Sequence, residues 1–447
     1  MKKIELVNCK ADADTIHYVV REDIGVDLLQ NSTVDLFIKY HTDENVKFDL
    51  REIPQSILQL PLSLYLLPIT YFCNVELVIP EMDKELYERL PKIYNTYSKI
   101  YGPFKDEWRG KLTINTIVDT PKISIAKYDR VVFFSGGVDA CHASINYPGR
   151  RTLLVSIPDI EHAAKNSGPL REEKFSLIKN FSSVVKSDWL LISNNFNNTL
   201  FKDEDIQNFL GKQRELNSSA FVFDGWPGIK YLANMCSVAP IAYYFGINEL
   251  IMGSSFEQIE DKLLLNYDGA NPELTDTIGF ANTHFGEQEG LMVRRSKKVA
   301  NIIDWCNAHG VKTKLWACFC DGTTQCGFCG KCIRTQLNIL CAGENPREWG
   351  FENFSEKKYT RYIKSYQYKE NNPCWLWDNI ETINDEKHYP YCDEVLHWLK
   401  SIGYKDYHRC SQEKANTKPT VLKRLTSFSR YPHYLKKIVT NLFGNNR

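Results

Sequence analysis

The stretch Val131-Val132-Phe133-Phe134-Ser135-Gly136-Gly137-Val138-Asp139-Ala140-Cys141-His142-Ala143-Ser144-Ile145 decides how this chain is read. Its four leading β-branched or aromatic residues predict a buried strand, and Ala140 to Ile145 predict the opening of a helix. Between them, Gly136 and Gly137 allow a tight backbone turn that a Cβ would obstruct. A strand that passes through glycines into a helix leaves unpaired amides at the helix start, and such amides attract an anion. The lysine of the GxxxxGK[ST] cradle is missing, so the loop is not of that γ-phosphate-gripping type. The bland counterpart is a strand-to-helix turn with no ligand. The order Ser-Gly-Gly-x-Asp after an apolar run favours the phosphate loop.

A second concentration of chemistry lies in Trp316-Ala317-Cys318-Phe319-Cys320-Asp321-Gly322-Thr323-Thr324-Gln325-Cys326-Gly327-Phe328-Cys329-Gly330-Lys331-Cys332. Two-residue spacers carrying Gly327 and Gly330 let Cys326, Cys329 and Cys332 converge on one ion, and zinc takes four thiolates in a closed tetrahedral structural site. A disulfide set, an iron–sulfur cluster and reactive thiols are the competing readings. Disulfides are disfavoured because no secretory signal is present and the other cysteines are scattered. Either Cys318 or Cys320 supplies the fourth sulfur, with Cys318 preferred.

The loop resembles the SGGxD[ST] loop of the PP-loop ATP pyrophosphatases. Together with the cysteine triplet and the segment Trp226-Pro227-Gly228-Ile229-Lys230, followed by a helix at Tyr231 to Gly246 and a strand at Glu249 to Ser255, it resembles the QueC family of 7-cyano-7-deazaguanine synthases over residues 128–342. That resemblance implies a parallel α/β sheet of the adenine nucleotide alpha hydrolase type. It implies ATP, with the β,γ-pyrophosphate held by Ser135, Gly136, Gly137, Val138 and Asp139, and with Asp139 organising the loop and Mg²⁺. Lys230 becomes a phosphate contact, Ser156-Ile157-Pro158 a lining for adenosine, and Gly253-Ser254-Ser255 a floor for ribose or substrate. Zn²⁺ would sit on Cys318, Cys326, Cys329 and Cys332. Family members adenylate the carboxylate of 7-carboxy-7-deazaguanine, let ammonia displace AMP, and adenylate again to reach the nitrile.

Departures from the family are specific. Ala140 stands where Ser or Thr is usual, so one hydroxyl contact is absent or comes from a neighbour such as Ser144. Ile229-Lys230 replaces an Arg-Asn pair, and the family's Tyr-Pro-Asp-Cys-Arg segment is missing. Asp268-Gly269-Ala270-Asn271-Pro272-Glu273-Leu274 stands in its place, and Arg294-Arg295-Ser296-Lys297-Lys298 opens the next helix. With a long N-terminal extension, these features resemble the QatC type of QueC-like protein from anti-phage gene clusters. The resemblance then implies that an activated deazaguanine-like carboxylate passes to an amine, for which a protein partner encoded nearby is one candidate. Cys141 and His142 invite roles as nucleophile or base, but inward packing beside the loop is the stronger reading.

Around this core, residues 1–125 predict an α+β domain with strands at Thr15 to Val20, Val34 to Lys39 and Leu112 to Val118. A helix is expected at Lys84 to Tyr101, with Leu86, Leu90, Ile93 and Tyr97 on one face. Ser56 to Val75 is the most apolar run. Pro61 and Pro68 interrupt it, which predicts adjacent buried strands and no membrane insertion. From residue 128 strands and helices alternate, with strands at Arg151 to Ile157, Trp189 to Ser193 and Glu249 to Ser254, so a parallel sheet is expected. Residues 343–447 predict an aromatic, irregular and helical extension, including a helix at Asp393 to Ile402. Its tail carries Lys414, Lys418, Lys423, Arg424, Arg430, Lys436, Lys437 and Arg447 against Glu413 alone, and a solvated end is the expected reading.

The 447 residues exceed what one core usually serves. Hydrophobic content of 43% with 25% charged residues fits a soluble globular protein, and zero net charge argues against bulk nucleic-acid binding as the main task. Fourteen cysteines without a secretory signal fit a reducing cytoplasm.

Overall fold

The computed structural model describes residues 2–23, 29–72, 75–101, 110–157, 168–200, 234–254, 258–259, 262–263, 272–318, 324–361 and 395. Its strands are β1 (Lys2–Ala11), β2 (Thr15–Glu22), β3 (Thr33–His41), β4 (Val75–Asp83), β5 (Lys111–Val118), β6 (Arg130–Phe133), β7 (Thr152–Ser156), β8 (Asp188–Asn194), β9 (Glu249–Gly253), β10 (Gln258–Ile259), β11 (Lys262–Leu263), β12 (Gly279–Phe280) and β13 (Thr283–Glu289). The main helices are α1 (Gln55–Leu58), α2 (Leu60–Phe72), α3 (Lys84–Tyr101), α4 (Val138–Asn146), α5 (Gly168–Val185), α6 (Ala239–Tyr244), α7 (Arg295–Ala308) and α8 (Gly330–Cys341).

One 11-stranded, mostly parallel sheet runs through the molecule in the order β12-β13-β9-β6-β7-β8-β3-β2-β1-β4-β5, while β10 and β11 form a separate ribbon. Strands β13, β9, β6, β7 and β8 are mutually parallel. The chain leaves β6 on one side for β7 and β8 and on the other for β9 and β13. The strand order therefore reverses between β6 and β9, and ligands of open α/β sheets bind in the crevice at such a point, beyond the carboxyl ends of the strands.

Alternation along these strands explains why both faces are covered. Val131, Leu153, Val155, Leu190, Ile192, Leu250 and Met252 face one core, which they share with the N-terminal strands and α2. Val132, Phe134, Leu154, Leu191 and Ile251 face the other, packed under α4, α5, α7 and α8. Period-2 side chains on a doubly covered sheet produce this near-continuous apolar run, as expected for parallel strands.

The regions divided in sequence near residue 125 contribute to one sheet. Antiparallel β3 pairs with β8, joining Ile38 to Asn194 and His41 to Leu191. Strands expected at 15–20, 34–39 and 112–118, and the helix at 84–101, are present, with Leu86, Leu90, Ile93 and Tyr97 all buried. Strands β7, β8 and β9 likewise fall where the alternation placed them.

The apolar run Ser56 to Val75 is a correction. It forms helices α1 and α2 rather than adjacent strands, and only Val75 begins a strand, β4. Pro68 lies inside α2, yet Leu60, Leu62, Leu64, Tyr65, Leu66, Leu67 and Ile69 are all buried. A helix that is apolar all round is stabilised by packing on every side, and this outweighs the loss of one backbone hydrogen bond at an internal proline. Among the described residues no helix is long and apolar enough to cross a membrane.

Several expected features lie outside the described residues: the Trp226–Lys230 segment with its Lys230, Pro158, Ser255, Asp268 to Asn271, Cys320, the helix at Asp393 to Ile402 save Val395, and the basic tail.

Candidate anion site and cysteine centre

Strand β6 ends at Phe133, and the loop Phe134 to Gly137 delivers the chain into α4. Gly136 has φ +81°, a left-handed conformation that glycine adopts without a Cβ clash. Gly137 is the N-cap of α4, with no side-chain cap, so the first amides of the helix face the end of the sheet. The Ser135 hydroxyl accepts from the Gly137 amide at 3.3 Å and holds the turn.

Asp139, in the first turn of α4, is one-fifth exposed and gathers two buried cations. Lys298 Nζ donates to its Oδ1 at 3.1 Å, and Arg295 Nη1 donates to its Oδ2 at 3.0 Å. Lys298 also donates to the Ser254 carbonyl just past β9. The Lys298 side chain is 0% exposed and that of Arg295 6%. Burial alone would raise the Asp139 carboxyl, but Lys298, Arg295 and, further off, Arg334 outweigh it and hold the group well below the carboxylate range. Arg295 and Lys298, three residues apart on α7, lie on one face of that helix and can therefore address one carboxylate.

Gly253 closes the crevice from the β9 side. A Cβ there would collide with the Asp139 carbonyl and crowd the Ala140 amide, so β9 and the first turn of α4 meet backbone to backbone. The position expected to floor a ribose is thus filled by the loop's own helix. Gly253→Ala is expected to push α4 off the sheet and destabilise the fold by about 1–3 kcal/mol, read as a lower thermal midpoint. An unchanged midpoint would mean that α4 is free to shift.

Ser156, at the end of β7, is buried and pairs with Leu191 of β8. Ser144 does not replace the hydroxyl missing at Ala140, because it is fully buried and donates to the Ala140 carbonyl at 2.8 Å within its own helix. Cys141 and His142 pack inward, as the stronger reading of them expected. The Cys141 thiol donates to the Gly136 carbonyl. His142 Nδ1 lies 2.8 Å from Glu289 Oε2, and its Nε2 lies 3.1 Å from Asn301. Burial would raise the Glu289 carboxyl, but the His142 and Asn146 contacts and the charge of Lys298 lower it. His142, three residues after Asp139 on the same face of α4, is thus held in a satisfied polar network with Glu289 and Asn301.

The cysteine centre borders the same loop. Sulfurs of Cys318, Cys326, Cys329 and Cys332 all lie within 4.8 Å of one another. A tetrahedral zinc site with Zn–S near 2.3 Å places its sulfurs about 3.8 Å apart, and Cys326 and Cys332 stand at 3.9 Å. The Cys326 amide donates to Cys318 Sγ at 3.4 Å and the Cys329 amide to Cys326 Sγ at 3.3 Å, the backbone support that thiolate ligands take. Crowding by the three neighbouring sulfurs, with burial added, raises the Cys332 thiol far above its ordinary value. Four thiolates can share this space only with a cation among them, so the donor set fits a metal ion such as zinc.

Two connections tie the centre to the loop. The Trp316 amide, two residues before Cys318, donates to the Gly136 carbonyl at 2.7 Å. Helix α8, whose N-cap is Cys329, carries Cys332 and the buried Arg334. Gln325 staples the segment: it accepts from the Ala317 amide and donates to the Leu315 and Gly350 carbonyls.

Sequence reasoning placed the loop and the four sulfurs but missed Arg295, Lys298, Arg334, Gln325 and Glu289. The basic run 294–298 was visible, yet its partner lies 156 residues away for Arg295, a pairing that no local pattern encodes. No family model, curated protein or solved structure matches this chain.

Proposed function

We propose that this protein is an ATP-dependent, carboxylate-adenylating enzyme of the QueC-like type. The supporting observation is the convergence, at the strand-order reversal, of the Ser135 to Asp139 loop with Arg295 and Lys298. In this reading the loop amides take the pyrophosphate of ATP with Mg²⁺, and the cations stabilise the charge that grows on it. A carboxylate oxygen of a 7-carboxy-7-deazaguanine-like substrate attacks the α-phosphorus, and pyrophosphate leaves. An amine then attacks the acyl carbon, and AMP leaves. Zn²⁺ on the four cysteines is structural: it holds Trp316 against Gly136 and fixes the start of α8. The acceptor amine is on a protein partner, in an anti-phage role and in the cytoplasm. Lys230 remains a phosphate contact within this proposal.

A second reading, an inactive binding scaffold, is favoured by Ala140 and by the engagement of both Asp139 oxygens with cations. A third, the housekeeping synthase, uses ammonia as the amine and a second ATP, whose adenylation of the resulting amide oxygen lets AMP leave to give the nitrile. One experiment separates them: zinc-loaded full chain with ATP, Mg²⁺ and 7-carboxy-7-deazaguanine, given ammonia or a candidate partner. AMP and pyrophosphate are quantified, and products are weighed by mass spectrometry. We expect AMP together with a mass increase on the partner protein, and Asp139→Ala should abolish steady-state AMP formation. Release of a free nitrile would assign the synthase, and ATP binding with no AMP would assign the scaffold.

A further inference from the structure

Asp139 is itself an anion placed where the loop would take one. It stands in the first turn of α4, and its two oxygens are bonded by Lys298 and Arg295, both almost wholly buried. The Arg295 Nε is also buried, without a hydrogen-bond partner, so this guanidinium keeps a donor that the carboxylate does not use. Arg334 adds positive potential at the same carboxyl. Three cations thus bear on one carboxylate, beside free helix-start amides and at the strand-order reversal. A second negative charge on the same face of α4, Glu289, feels the Lys298 charge but is hydrogen-bonded by His142 and Asn146 rather than by Lys298 or Arg295. Buried charge of one sign calls for a counter-ion.

We propose that Asp139 is an internal counter-ion which a bound pyrophosphate group displaces from Lys298 and Arg295, and which reclaims them when pyrophosphate leaves. This rests on the reading that the loop takes the pyrophosphate of a nucleotide, and it changes the role expected for Asp139 from Mg²⁺ ligand to competitor. A carboxylate that already occupies both cations weakens anion binding by the free energy of the ion pairs that must be broken. The same pairs drive release, because re-forming them offsets the loss of phosphate contacts. Holding Lys298 and Arg295 in place between turnovers is the positioning part of the role.

The test is calorimetric titration of the metal-loaded full chain with sodium pyrophosphate, without added Mg²⁺, for wild type and Asp139→Asn. We expect the variant to bind pyrophosphate at least about tenfold more tightly, the equivalent of one broken pair. Equal or weaker binding by Asp139→Asn overturns the proposal, as does the absence of pyrophosphate binding by wild type, and a crystal structure of the wild type with pyrophosphate separates displacement of the carboxylate from simple repulsion. If Asp139→Asn does not fold, that crystal structure decides. Separation of the carboxylate from Lys298 upholds the proposal, and an intact pair beside bound pyrophosphate overturns it. The two readings fail separately. Tighter pyrophosphate binding with no AMP formed sinks the adenylation chemistry alone, whereas AMP formation with weaker binding by Asp139→Asn sinks the counter-ion alone.

Discussion

Cys329→Ser is expected to abolish stoichiometric binding of a metal such as zinc by the four-cysteine set, lower the thermal midpoint and loosen the Ser135 to Asp139 loop in one step. Cys329 is both a sulfur of the four-cysteine set and the N-cap of α8, whose first turns carry Cys332 and Arg334. Structural zinc sites contribute roughly 10–16 kcal/mol of apparent binding free energy, all of it available to folding because the site does not exist in the unfolded chain. Losing one of four thiolates forfeits a large share of that. The effect reaches the loop because Trp316, tied to Gly136, is held through Cys318 in the same cluster. Metal content by mass spectrometry and a thermal melt check the first two effects, and pyrophosphate titration checks the third. Full zinc content in the variant would exclude Cys329 as a ligand. A normal melt without zinc would mean that the centre does not stabilise the fold.

Lys298→Met is expected to cost at most about 3–5 kcal/mol, the range for breaking a buried ion pair by removing one partner, because the Asp139 carboxylate left behind is one-fifth exposed and keeps Arg295. Lys298 is 0% exposed and bonds both Asp139 and the Ser254 carbonyl, so methionine leaves a carboxylate with Arg295 alone and a carbonyl without its donor. Chemical denaturation reads the loss directly. A change below about 1 kcal/mol would mean that water or Arg295 compensates. The same cluster sets an acid limit. The folded carboxyl of Asp139 lies below its unfolded value, so its contribution is fully present above about pH 4 and is lost as pH falls through the folded value. Glu289 has a lowered carboxyl too and acts in the same direction. Wild-type stability should therefore decline on acidification below about pH 4, and Lys298→Met should show a shallower decline.

Legibility followed the range of the interactions. The loop was readable because strand pattern, glycines and helix start are all encoded within about a dozen residues, and β6, Gly136 and α4 appear there. The cysteine spacing was equally local: Cys326, Cys329 and Cys332 reach one point because the glycines between them let the chain turn. By contrast, Ser56 to Val75 misled because a short apolar run has no polar face to report its period, and prolines weighed against a helix that all-round burial stabilises. Ser144 looked like a spare hydroxyl for the loop, yet a helical serine finds the carbonyl four residues earlier before it finds a ligand.

From its sequence alone, the chain determined a strand–glycine–helix loop and a convergent set of thiols, since backbone sterics and ligand spacing are properties of neighbouring residues. The tertiary structure alone decided that β6 and β9 flank the strand-order reversal and that Gly253 closes on Asp139. It also decided that Arg295 and Lys298 arrive on the Asp139 carboxylate from more than 150 residues away. It joined β3 to β8 across the chain as well, making one sheet of segments that differ in pattern. The physical reason is that these pairings arise only when apolar faces are buried together. Burial selects partners by shape and charge in three dimensions, and nothing in the local order of residues records which distant side chains will meet.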